Sequence, residues 1–331
     1  MLVESARGML AARTSLAVTR THEAVGCGFD RVLWAEMGRL GWLALADTRH
    51  VVETVLVCEE MGRALVASPF IPTVAMAAPL LGGDARARRI AAGELVATVA
   101  VAEPGARSLW DTPVLTLAQG RLTGRKSFVP FAADADVVVV ALAGGDVALV
   151  ERGDFVCVPN ATLGGDPLSD VVFENAPVEQ IAPGAGVAAA LDRGAVATLS
   201  YVVGASERAL AMTLEHAKTR EQFGRPIGSF QAVAHRCVEM RSDIDALRVL
   251  VHQAAWTIAT GRPNEVAIGS ALTYGLAAVR RIVRHAHQVH GAIGFSMEHD
   301  LQLFTRRAKA IELMWGPPAR HHERVARGMG L

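Results

Sequence analysis

Residues 220–231 read Arg-Glu-Gln-Phe-Gly-Arg-Pro-Ile-Gly-Ser-Phe-Gln. On either side, over 199–218 and 230–256, apolar residues recur at steps of three and four, so the stretch closes one amphipathic helix and opens another. Gly224, Pro226 and Gly228 mark a tight turn between the two. The turn carries Arg220, Arg225 and Gln231, donors suited to a phosphate-rich ligand. Phe223 adds an apolar plane for a nucleotide ring or a second chain to cover. Taken alone, the string also suits a plain corner between two helices.

Working outward, helical periodicity resumes after Pro183-Gly184 and gives four long segments, 187–218, 230–260, 263–290 and 300–314. Their length and single apolar stripe predict an antiparallel four-helix bundle. Between about 95 and 174 the pattern changes to short β-rich runs: 95–102, 116–117, 121–129, 137–142, 147–151, 156–157 and 171–174. Gly-Gly, Asn-Ala and Gly-Asp turns separate them, as in a small sandwich or barrel. The first 93 residues are helical again, with Phe29, Leu33, Met37 and Leu40 on one face and Val57, Met61, Ala64 and Leu65 on another. Pro69 and Pro72 interrupt this part, and Gly82-Gly83 ends a further short helix. The expected plan is α+β: an N-terminal helical domain (1–97), a small middle β domain (98–185) and a C-terminal four-helix bundle (186–331).

Bulk properties narrow the class. The chain has 331 residues, enough for two or three cores, and 51% of them are hydrophobic. No uninterrupted apolar run reaches the roughly 20 residues of a membrane span, so the apolar surplus points to an oligomer. Lys plus Arg and Asp plus Glu both count 33, without the basic excess that bulk nucleic-acid binding requires. Cys27, Cys58, Cys157 and Cys237 form no Cys-x-x-Cys pair and read as reduced core residues. Residues 1–18 lack the apolar core of a signal peptide. A cytoplasmic oligomer is the expectation.

The order α, β, α-bundle and the string at Arg220 resemble the acyl-CoA dehydrogenase family over nearly the whole chain from about Phe29. A second motif supports the resemblance: Gln288-Val289-His290-Gly291-Ala292-Ile293-Gly294-Phe295 is similar to the family's Gln-x-x-Gly-Gly-x-Gly. In that family the ADP half of a neighbouring subunit's FAD runs along these two motifs. The resemblance therefore implies that Arg220, Phe223, Gln231, Gln288 and Gly291 contact a partner's FAD. The chemistry agrees, since glycine lets a dinucleotide approach the backbone and an arginine fork reads pyrophosphate.

The flavin-facing and substrate-facing motifs are altered. Glu103-Pro104-Gly105-Ala106-Arg107-Ser108 resembles the family's Thr-Glu-Pro-Gly-Ala-Gly-Ser-Asp loop, with Ala102, Arg107 and Leu109 replacing Thr, Gly and Asp. Lys126-Ser127-Phe128-Val129-Pro130 resembles Lys-x-Trp-Ile-Thr, keeping an aromatic ring at Phe128 but losing the hydroxyl and N–H at Pro130. The catalytic base is the decisive position. Arg306-Arg307-Ala308-Lys309 resembles Arg-Asp-Ala-Lys, after which the family places Tyr-Glu-Gly; here Met314-Trp315-Gly316 follows. Indole accepts no proton near neutral pH. The alternative base position, near the start of the first bundle helix, falls on Gly194. The resemblance places CoA contacts in the same helix, fitting Asp192 and, as a substitute for the Arg expected at Ala195, Arg193. Asp192, Glu221 and Glu312 are the remaining acids near the site, each read as a cap, a solvated group or an ion-pair partner. His285, His287 and His290, with His321 and His322, converge with no carboxylates, so no metal is expected.

Three functions follow. The first is a subunit of a heteromeric acyl-CoA dehydrogenase that clasps the ADP half of FAD. A longer homologous partner would then carry the catalytic Glu and the acyl-CoA site, giving two FAD per α2β2 tetramer and passing electrons to an electron-transfer acceptor. The short N-terminal part, where residues 47–50 replace a glycine-rich loop, fits this reading. The resemblance extends to the base-lacking subunits of actinobacterial steroid side-chain degradation. The second is a self-sufficient homotetramer with a relocated base, Asp192 or Glu221. The third is a structural homologue without flavin.

Overall fold

The computed structural model describes residues 2–25, 29–181 and 186–331. Cys27 and the Pro183-Gly184 break lie outside the described residues. The N-terminal part is helical: α1 (Leu2–Arg13), α2 (Leu16–Val25), α3 (Arg31–Arg39), α4 (Val51–Arg63), α5 (Ala78–Leu81) and α6 (Ala85–Ala91). Asp30 and Asp84 cap α3 and α6, accepting from Val32 N and Arg86 N. Pro72 does not break this region as its sequence suggests. It sits in the first turn of a π-helical run, Ile71–Ala77, that continues into α5, and there its missing N–H has no helical acceptor to lose.

Eight strands follow: β1 (Ala97–Ala100), β2 (Leu117–Ala118), β3 (Arg121–Pro130), β4 (Val137–Ala141), β5 (Val147–Glu151), β6 (Val156–Asn160), β7 (Leu168–Pro177) and β8 (Glu179–Ile181). They form two four-stranded sheets, β1-β4-β5-β8 and β2-β3-β7-β6. Among the described residues only β1 and β4 pair in parallel. The valine run of β4 is unbroken because both of its faces are covered. Val138 and Val140 join Leu122, Val171 and Phe173 in one core, while Val137 and Val139 join the core shared with the helices. The short β8 lies beyond the last β-rich run read from the sequence.

The C-terminal part consists of α7 (Val187–Thr219), β9 (Glu221–Gln222), β10 (Arg225–Pro226), α8 (Gln231–Ala259), α9 (Glu265–His290), α10 (Leu301–Met314) and α11 (Pro318–Gly328). The short links between α7, α8 and α9 make these helices antiparallel in turn, so α7 and α9 both end where α8 begins. At 33 residues α7 spans about 50 Å. It crosses α4 with backbone against backbone: a β-carbon on Gly62 would lie 1.8 Å from Tyr201 O, and one on Gly204 1.7 Å from Glu59 O. By length and composition α7 and the stretch Glu265–Phe295 reach the measure for a membrane span, which a search for uninterrupted apolar runs passes over. Their most apolar windows are 83% and 50% buried within the protein, where they serve as core helices.

Candidate functional site

The turn after α7 is a miniature hairpin. Gln222 pairs with Arg225, and Phe223 and Gly224 form its corner with φ of +55° and +76°. Positive φ at both central residues matches the twist of a two-residue hairpin. Glycine adopts it freely and phenylalanine at a cost of about 1 kcal/mol. The strained Phe223 is also 92% exposed. Arg225 lies over the Phe230 ring, 4.2 Å from its centroid, and Phe223 meets the same ring edge-on at 6.0 Å. Gln231 opens α8 and Gln288 lies in the last turn of α9, both exposed. Gly291 ends α9 with φ +66°; a β-carbon there would meet nothing within 4 Å, so its backbone angle, not crowding, calls for glycine. Both motifs thus reach the same end of the bundle. The side chains of Arg220, Gln231 and Gln288 make no hydrogen bond among the described residues. Free donors on an open, glycine-bounded surface fit the diphosphate end of a dinucleotide.

The two positions considered for a base are closed. A β-carbon on Gly194 would lie 2.6 Å from Met76 Sδ. Trp315, just past α10, is 1% exposed and packs against Trp110, ring centroids 5.3 Å apart. Trp110 belongs to the loop 103–115, whose ends are drawn together by Glu103. That carboxylate accepts from Leu115 N at 3.0 Å, Val114 N at 3.2 Å and Lys126 Nζ at 2.7 Å. Lys126 is fully buried and also donates to Val101 O at 3.0 Å. Burial holds its pKa down against the pull of Glu103. Arg320 of α11 anchors the loop tip, donating to Asp111 Oδ1 at 2.9 Å and Trp110 O at 2.6 Å. Arg107 is exposed and does not fill the interior.

Asp192 and Arg193, read as substrate contacts, both turn inward. Arg324 grips Asp192 with two bonds of 2.6 Å, and Trp110 Nε1 donates to the same carboxylate at 3.3 Å. Arg193 donates to Ala46 O at 2.5 Å, closing the segment near residues 47–50. Its Nε and Nη1 have no partner, and burial holds its pKa down to about 10. Glu312 pairs with Lys309 at 3.1 Å and with Arg280, whereas Glu221 is exposed on the hairpin. On β3, Phe128 stands exposed at φ +54°, its N–H donating 3.1 Å to Asp170 Oδ1. Among the described residues no group of three His, Cys, Asp or Glu side chains is placed to hold a metal.

Sequence reasoning passed over Trp110, Arg320 and Arg324, and it did not read α11 as a helix, although it weighed His321 and His322 within it as metal ligands. The signal for α11 was available: Pro317-Pro318 followed by an amphipathic Arg-His-His-Glu-Arg run. No local pattern marks Trp110, because its role depends on meeting Trp315 205 positions later.

Residues 184–330 match the family profile described as "Acyl-CoA dehydrogenase, C-terminal domain". The chain is 31% identical over 333 residues to Acyl-CoA dehydrogenase FadE27 of Mycobacterium tuberculosis, covering 90% of this chain and 88% of that protein. It is 29% identical to Acyl-CoA dehydrogenase IpdE2 of the same organism, covering 93% and 90%. Among solved structures, a chain of the ChsE4-ChsE5 complex from M. tuberculosis superposes with a TM-score of 0.87 at 27% identity, over 99% of this chain and 96% of that one. The chain belongs to the acyl-CoA dehydrogenase family, and its three-part architecture is the fold of that family.

Proposed function

We propose that this chain is the base-lacking subunit of a heteromeric FAD-dependent acyl-CoA dehydrogenase. The carrying observation is the closure of both base positions, Trp315 by Trp110 and Gly194 by Met76, in a chain whose ADP-clasping residues remain free and exposed. Dehydrogenation of an acyl thioester needs a group that removes the α-proton, a contribution of roughly 10²–10⁴ in rate. Asp192, the nearest acid on α7, is paired with Arg324 behind Trp110 and is buried. The longer homologous partner therefore supplies the base and the acyl-CoA site.

In this reading Arg220 and Gln231 hold the diphosphate, Gln288 and the open backbone at Gly291 line the nucleotide, and Phe223 covers it. FAD held there would supply the hydride acceptor for the partner's site and a route for electrons to an electron-transfer acceptor. The likeness to a chain of the ChsE4-ChsE5 complex supports a heteromer. The substrate class is a bulky acyl-CoA thioester, with steroid side-chain thioesters the proposed case.

Expression with and without the longer homologue tests this. The expected result is no acyl-CoA turnover by the chain alone, turnover by the co-expressed pair, and loss of flavin from the pair when Arg220→Ala is made in this chain. Turnover by the chain alone contradicts it.

A further inference from the structure

A groove of about 520 Å3 runs beside the C-terminal half of α7, with Arg208 and Glu215 along one side and His216, Thr219, His290 and His299 toward the bundle end. From Arg208 to Thr219 the helix rises about 16 Å, the length of about five residues of extended chain. Three imidazoles pack together at its end. His216 stacks on His290 at 4.6 Å with the rings 19° apart, and His299 meets His290 at 5.0 Å and 66°.

The groove's polar groups are incompletely answered within the chain. His290 is 5% exposed, and its Nδ1 lies 2.8 Å from Ala286 O, so Nδ1 carries the hydrogen and Nε2 offers a lone pair. Nε2 has no hydrogen-bond donor. At the other end the exposed Arg208 makes no ion pair or hydrogen bond among the described residues. An occupant that suits both must bring an anion to one end and a donor to the other.

The surroundings identify a protein rather than a small molecule. Ile293, Phe295 and Met297 are all exposed on the turn at this end of the bundle. Large apolar side chains gathered at one end mark a protein contact. The groove is also continuous with the ADP clasp, since Arg220 follows Thr219 while Gln288 and Gly291 flank His290 in sequence.

We propose that the groove receives a short extended segment of the partner subunit, carrying an acidic side chain for Arg208 and a hydroxyl or backbone N–H that donates to His290 Nε2. This rests on the heteromeric reading above and names where the partner grips.

The test measures association of the tagged chain with the co-expressed longer homologue, comparing wild type with Arg208→Glu and His290→Leu. Arg327→Glu is the control, on α11, which packs against the opposite end of α9. Arg208→Glu is expected to weaken association about tenfold or more, as when like charges are forced together at an interface. His290→Leu is expected to weaken it less, and the control to leave it unchanged. Thermal midpoints of the isolated variants separate lost docking from lost folding. Unchanged association in both variants overturns the groove assignment, while the heteromeric reading still stands if Arg220→Ala depletes flavin. Wild-type self-association abolished by Arg208→Glu would assign the groove to a second copy of this chain and overturn the partner assignment. No association of the wild type overturns both.

Discussion

Trp110 and Trp315 meet with ring centroids 5.3 Å apart and planes 48° apart, although 205 positions separate them in sequence. Trp110 comes from the loop 103–115 that Glu103 ties at its ends, and Trp315 follows α10. Under the proposed function, the missing base and the filling of the space it would serve are one packing event. Arg320, Arg324 and His321 of α11 hold the pair from behind.

Removing Trp110 should leave a void that the Glu103-tied loop cannot collapse into. Trp110→Ala is expected to destabilise the isolated chain by about 3 kcal/mol, read from a shift in its urea midpoint at constant slope. Added indole should recover part of the loss, because the vacated site keeps the Trp315 ring and the Asp192 carboxylate that the Trp110 indole met. A midpoint unchanged by the substitution would mean that the loop packs independently of Trp315.

The crossing of α4 and α7 tolerates no side chain. Gly204→Ala would place a methyl 1.7 Å from Glu59 O. We expect a loss of about 3 kcal/mol or more, since the obstacle is helix backbone rather than a flexible side chain. Thermal unfolding of Gly204→Ala beside Gly8→Ala, whose β-carbon meets nothing within 4 Å, checks this. Equal melting points would contradict the close crossing.

Acid should unfold the chain through its buried histidines. Burial, above all, pushes His290 and His321 down to about 4 from an ordinary value of 6.5. Each binds its proton more readily in the unfolded chain, so its contribution is fully present above about pH 6.5 and is lost as pH falls toward 4. Urea midpoints between pH 7.5 and 4.5 should decline, and the decline should flatten in the double variant His290→Leu, His321→Phe. A decline equally steep in that variant would place the acid sensitivity elsewhere.

Phe223 trades stability for contact. Phe223→Gly relieves the left-handed backbone and should raise the stability of the isolated chain by about 1 kcal/mol or somewhat less. In the co-expressed pair the same change should lower flavin retention. A variant that gains no stability, or keeps its flavin in full, counts against that assignment.

The sequence made the architecture legible where one element carries its own signal. The bundle helices announce themselves by length and period, and β4 by its valine run. The turn between α7 and α8 was readable because Gly224, Pro226 and Gly228 fall in one short string. What stayed hidden depends on contacts between distant segments: Arg324 gripping Asp192, Met76 filling the space at Gly194, and Trp110 sealing Trp315. A carboxylate at Asp192 looks available in a linear reading, and only the fold supplies the guanidinium that occupies it.

The most direct test is the flavin count. The isolated chain is expected to be colourless and the complex with its longer partner to carry one FAD per pair of subunits. One FAD per chain in the isolated protein, with turnover of an acyl-CoA, would contradict it.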